Sequence, residues 1–233
     1  MLYTRGNRRD YDALAAKSNA GWDYESVLPY FNKAENMTDP ALAEPKYHGT
    51  EGPLSVSFND FKDDSIATAV KNAFRDSFGL PEVDYNGENQ VGASFIKTNV
   101  RDGQRDSTRR AYLEPARLRN NLIVRTHSQV TRIIIDPDTR RAEGVEVVHK
   151  NVTIAVFASK EVVVSAGPVR SPQLLMLSGL GPRDHIRSFD VEVIKDIPVG
   201  SNFRDHVVII PAFPLLIDVH QACLLYTSDA ADE

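Results

Sequence analysis

Apolar residues recur at helical spacing twice in the first third of the chain. Val27, Leu28, Tyr30, Phe31 and Ala34 share one face of a segment from Tyr24 to Glu35, and Asp23 stands where a helix cap is needed. Pro29 falls early enough in that segment to be tolerated. Ile66, Ala69, Val70, Ala73 and Phe74 define a second helix, Ser65 to Phe78, which Gly79 ends. Between the two, Tyr47 to Pro53 reads as a turn and Leu54 to Ser57 as a short alternating strand. Gly92 to Thr98 is expected as a strand and Arg101 to Gln104 as a turn. Ser107 or Thr108 is expected to cap a helix through Leu113.

Beyond residue 120 the period shortens. Leu122 to Thr126 and Gln129 to Ile135 are β-branched runs, and residues 142–150 and 152–158 alternate like a hairpin or small meander. Glu161 to Gly167 is continuously apolar, as in a strand buried on both faces of a parallel sheet. A helix is predicted from Gln173 to Leu177 with its stop at Gly179, and Glu192 to Ile194 is one more short strand. The fold class is mixed α/β. A buried strand that runs through Ala166 and Gly167 into a helix is how doubly wound sheets meet a nucleotide. Many α/β proteins share that arrangement, so taken alone it leaves nucleotide contact as one reading among several.

Composition narrows the class without naming a chemistry. The 233 residues are 42% hydrophobic and 25% charged, ordinary for a globular protein. The net charge of -5 argues against nucleic acid as a partner. The longest apolar run, Val207 to Val219, is interrupted by Pro211, Pro214 and Asp218, so no membrane span is expected. Six histidines show no metal-ligand spacing, which suits an organic cofactor better than a metal. The single cysteine, Cys223, lies in a tail, residues 223–233, that looks like a translated sequencing adapter. That tail is set aside as a scar, and no disulfide is argued.

The run Gly167-Pro168-Val169-Arg170-Ser171-Pro172-Gln173-Leu174-Leu175-Met176-Leu177-Ser178-Gly179-Leu180-Gly181 is more specific. It resembles the second signature of the GMC (glucose–methanol–choline) oxidoreductases. In physical terms Ser171 and Pro172 would start the helix, Leu174, Leu175 and Leu177 would pack it, and Gly179 and Gly181 would end it with a positive-φ turn. Three further stretches agree. Met1 to Asp12 is similar to the second half of the family's first signature, which implies that Met1 is an internal methionine and that Met1 and Leu2 lie against the cofactor through main chain. Asn121 to Ile133 is similar to the strand pair that leads to the adenine, and the matching valine, Val130, would hold it through backbone groups. Pro198 to His206 resembles a turn between domains, with Phe203 in place of leucine, so Asp205 and His206 are read as structural. The stretches Arg5 to Asp12 and Arg101 to Thr108 look typical of the insect glucose-dehydrogenase-like branch.

The resemblance implies FAD as cofactor, a small alcohol or sugar-like substrate, and hydride transfer to the flavin, with quinone or oxygen as undetermined electron acceptor. It also implies an internal fragment. Residues 1–50 would cover the FAD domain, 51–105 would belong to the substrate domain, 106–205 to the FAD domain, and 206–222 would begin the substrate domain again. The family's Gly-x-Gly-x-x-Gly turn and catalytic histidine would lie outside the chain, so no catalytic residue is assigned. Localisation is left open, with secretion expected if the whole protein carries a leader. The other readings are a non-catalytic truncated product, a lyase and a non-enzymatic flavin binder.

Overall fold

A computed structural model of the chain describes residues 2–39, 43–58, 65–205 and 208–209. Met1, His206 and the tail at 223–233 lie outside the described residues. Chain contacts divide the molecule into two units, Met1–Val124 and Arg125–Glu233.

The first unit opens with α1 (Arg8–Ala15), capped by Asn7, which accepts from the Arg9 N–H while Asp10 reaches back to the Asn7 N–H. Helix α2 (Tyr24–Ala34) forms as expected, with the Asp23 carboxylate accepting from the Ser26 N–H. It runs directly into β1 (Glu35–Met37). Strand β2 (Leu54–Phe58) pairs parallel with β1, with Glu35 opposite Leu54 and Met37 opposite Val56. Helix α3 (Ser65–Phe78) ends at Gly79, at φ +61°. Strand β3 (Lys97–Thr98) completes the sheet antiparallel to β2. The predicted strand from Gly92 is thus reduced to its last two residues. Strands β4 (Val100–Arg101) and β5 (Gln104–Arg105) form a hairpin whose turn residues, Asp102 and Gly103, both have positive φ. The predicted helix after Thr108 begins as a π-helical turn, Arg109–Leu113, and continues as α4 (Glu114–Ala116) without a side-chain cap bond.

The second unit is built on a meander of β6 (Ser128–Ile135), β7 (Ala142–His149) and β8 (Val152–Phe157), antiparallel throughout. Helix α5 (Gly167–Leu177) packs on β6. The chain then makes β9 (Leu180–Gly181), α6 (Arg183–Arg187) and β10 (Lys195–Asp196), with β9 and β10 parallel. The architecture is mixed α/β, as the sequence implies.

Five expectations need correction. Residues 122–126 and 161–166 form no strand, and Val163 is 75% exposed. A strand buried on both faces is defined by neighbouring strands, and among the described residues none pairs with either run. The strand expected at Glu192–Ile194 appears directly after it, as β10. Helix α5 starts at Gly167 rather than Ser171, and Ser171 instead accepts the Ala166 N–H through its hydroxyl, at 3.0 Å. Gly179 ends that helix at φ +83°, but Gly181 pairs as strand without positive φ.

Candidate functional site

In the first unit the chemistry concentrates in a buried cluster of five ionisable side chains, Arg5, Glu35, His48, Asp84 and Lys97. The Arg5 guanidinium pairs with Glu35 and donates to the Tyr47 carbonyl. It also donates to the Tyr3 hydroxyl at 3.1 Å and lies 5.3 Å from the centre of the Phe31 ring. His48 is held from both sides, Nδ1 at 2.8 Å from Glu35 Oε1 and Nε2 at 2.7 Å from Asp84 Oδ2. Asp84 pairs in turn with the Lys97 ammonium and accepts the N–H groups of Glu44 at 3.0 Å and Asn86 at 2.9 Å.

Two carboxylates facing one imidazole favour donation by both ring nitrogens, the imidazolium form of His48. Burial opposes that charge, but the bonds to Asp84 and Glu35 outweigh it and raise its pKa above the usual histidine value. Burial likewise works against the Asp84 anion, yet His48 and Lys97 hold its carboxyl well below the usual range. Burial pushes the Tyr85 phenol up to about 12. That hydroxyl accepts the Lys97 N–H at 2.6 Å and donates to the Tyr3 carbonyl at 2.9 Å.

The turn that carries His48 can reach this cluster because it has glycine at two contact points. A Cβ at Gly49 would lie 1.8 Å from the Asn32 carbonyl oxygen, and one at Gly52 would lie 2.3 Å from the Ala34 carbonyl carbon. The five charges saturate one another, which suits them to anchoring backbone rather than to turning over a ligand. What they anchor is the segment around Leu2. The Tyr3 N–H donates to the Lys97 carbonyl at 2.8 Å, and Leu2 bridges to Thr98 with its side chain exposed. Beside the cluster opens a cleft of about 900 Å³, bordered by Asp84, Glu44, Tyr24, Tyr47, Phe58 and Phe95.

The second unit carries the other site residues named from the sequence. Val130 lies in β6, an edge strand of the meander, and its carbonyl accepts the Gln129 side-chain amide at 3.1 Å. Ala166 and Gly167 are exposed at the start of α5. Gly167 has φ +84°, and a Cβ built there meets nothing within 4 Å. The link between α5 and β6 is Ser178. Its hydroxyl donates to the Leu174 carbonyl at 2.6 Å and accepts the Ile133 N–H at 2.8 Å. Ser178 is part of the signature run but carries no chemistry that singles it out in sequence. The charge cluster is equally silent there, because its members are scattered between positions 5 and 97.

Residues 1–208 match the family described as GMC oxidoreductase. The chain belongs to the GMC oxidoreductase family. Among curated members it is 40% identical over 209 residues to glucose dehydrogenase [FAD, quinone] of Drosophila melanogaster, covering 89% of this chain and 33% of that protein. It is 36% identical over 224 residues to mitochondrial choline dehydrogenase of Homo sapiens, covering 96% of this chain and 35% of that protein. Among solved GMC-like structures, pyridoxine 4-oxidase from Mesorbium loti matches with a TM-score of 0.76 at 31% identity, over 85% of this chain and 38% of that one. An FAD-dependent oxidoreductase from Chaetomium thermophilum matches with a TM-score of 0.77 at 31% identity, over 85% and 36%. The chain spans about a third of the length of the curated relatives it matches.

Proposed function

We propose that this chain is the part of an FAD-dependent oxidoreductase that flanks the cofactor, in a protein that oxidises a CH–OH group of a small alcohol or sugar-like substrate. The observation that carries the reading is the signature helix α5, tied by Ser178 to the edge strand that bears Val130. Its residues fit the nucleotide half of such a cofactor. The open, positive-φ backbone at Gly167 allows close approach of a ligand. Val130 would hold the adenine through main-chain groups on an edge where β6 has no strand neighbour among the described residues. Ala166 and Gly167 would line the same half, and Met1 and Leu2 would border the flavin through main chain, with Leu2 held in line by its bridge to Thr98.

When bound, the flavin supplies the hydride acceptor. The residues of this chain bind and orient, and the base that takes the alcohol proton would come from elsewhere in the protein. We assign residues 1–50 and 106–205 to the cofactor side and 51–105 to the substrate side. The electron acceptor would be a quinone or oxygen. By itself the 233-residue chain is proposed to be inactive. The exposure of Val163 in the apolar run 162–164 supports that, because a cofactor domain would need it covered.

The test is to purify the whole protein that contains this chain and record its visible spectrum, then add sugars and amino alcohols without oxygen. A bound flavin bleached by at least one of them is expected. A colourless folded protein, or a flavin that no alcohol reduces, would overturn the reading.

A further inference from the structure

The sequence holds two Asn-x-Thr triplets, Asn36-Met37-Thr38 and Asn151-Val152-Thr153. Neither has a central proline, and such triplets accept N-linked glycans in chains that enter the secretory route. The fold treats the two differently.

Asn151 is the second residue of the two-residue turn between β7 and β8, closed by the pair His149 and Val152. Lys150 at φ 49° and Asn151 at φ 62° are both left-handed, as a type I′ hairpin turn demands. Asn151, Val152 and Thr153 are all exposed. Asn36 instead sits in the middle of β1. It is paired with Ser55 and bridged to Thr50, and its neighbours Glu35 and Met37 are buried. The Thr38 hydroxyl is already committed to the Val56 carbonyl at 3.2 Å. A glycan on Asn36 would have to leave a strand residue that is paired to Ser55 and bridged to Thr50, beside the charge cluster. One on Asn151 leaves the tip of a hairpin.

We propose that Asn151 is an acceptor of an N-linked glycan and that Asn36 is not. In the transfer, the Asn151 amide nitrogen bonds to the anomeric carbon of a lipid-pyrophosphate-linked oligosaccharide. The bond from that carbon to the pyrophosphate oxygen breaks, the lipid pyrophosphate leaves with the electron pair, and one amide proton passes to a base of the transferase. The turn geometry alone would explain an asparagine at 151. It does not need a threonine two residues on, so Thr153 separates the two readings.

The test expresses the chain behind a cleavable secretory leader in a eukaryotic host. Secreted and cell-associated pools are both treated with the amidase that frees N-glycans and converts the linked asparagine to aspartate. Expected is a gel shift of one glycan, with aspartate at 151 in the peptide map and asparagine at 36. The shift should vanish in Asn151→Gln and in Thr153→Ala, which leaves the turn residues intact. It should persist in Thr153→Ser and in Asn36→Gln. A chain without glycan in both pools, or a shift that follows Asn36, would overturn the proposal. The gel shift and the peptide map are read without flavin, so the outcome is independent of flavin binding.

Discussion

In the first unit the largest fully buried side chains are Lys97, Glu35, Val56, Asn86 and Asp106, while in the second the buried side chains are Ile133, Val147, Ile186 and Ser178. The first unit thus sets a group of buried charges beside two apolar clusters, Tyr24 with Leu28 and Tyr47, and Met37 with Val56 and Phe58, while the second relies on aliphatic packing with a single hydroxyl. An aliphatic centre tolerates exchange of similar volumes. A charged centre tolerates only its full set of partners, since each charge left alone in the interior keeps its desolvation cost. The first unit should therefore be the brittle one and the second the forgiving one, and three measurements can break or sharpen that contrast.

The largest effect is expected for Glu35→Gln. It leaves Arg5 and His48 without the carboxylate that faces both. Loss of one partner of a buried ion pair costs about 3–5 kcal/mol. Trp22 is the one tryptophan of the chain and lies in the first unit, so its fluorescence in a urea titration reads the loss there. An unmoved midpoint would show that the cluster is not what holds the unit.

Next comes pH. The folded pKa of His48 is raised above the unfolded value of 6.5. The proton it holds therefore stabilises the fold fully below 6.5, and that contribution is lost as pH rises through the folded value. The slope is at most about 1.4 kcal/mol per pH unit for one proton. Urea midpoints taken from pH 6 upward, as an approximate starting point, should fall with that sign in the native chain. In His48→Gln the slope should be absent. A native midpoint that rises over the same interval would contradict the imidazolium.

The smallest effect is expected in the second unit. Ser178→Ala removes the partner of the Ile133 N–H and should cost about 1–2 kcal/mol. Amide exchange at Ile133 and along α5 should quicken while Trp22 fluorescence holds its midpoint. A cost as large as that of Glu35→Gln would erase the contrast between the units.

Much of this was readable in the sequence where the cause is local. Helix α2 follows from Asp23 and the spacing of Leu28 and Phe31, and α3 from its apolar face and Gly79. The meander follows from β-branched alternation broken by Asp136-Pro137-Asp138 and again at residue 151. The failures share a non-local cause. Residues 161–166 have a strand's composition, but strands exist only in pairs. Ser171 has a cap's chemistry, but Pro168 and the positive φ of Gly167 let the helix begin a turn earlier. Family membership was readable because the signature is contiguous. The charge cluster was not, because no window of sequence contains Arg5, Glu35 and Lys97 together. The glycines at 49 and 52 are the nearest thing to a local trace of it.

The hairpin of β6 and β7 has a history of lengths built into it. Val130 faces Val147 and Arg132 faces Glu146, so Thr131 is one residue more than its partner strand supplies. Further along, Ile134 faces Gly144 and Ile135 faces Ala142, so there the surplus residue, Glu143, is on the other strand. The two offsets have opposite sense and cancel, like an insertion and a deletion that restore a reading frame. Losing Thr131 alone would turn the stretch holding Val130 over, with inside residues facing out. Length changes in this hairpin should therefore be inherited in compensating pairs, one on each strand.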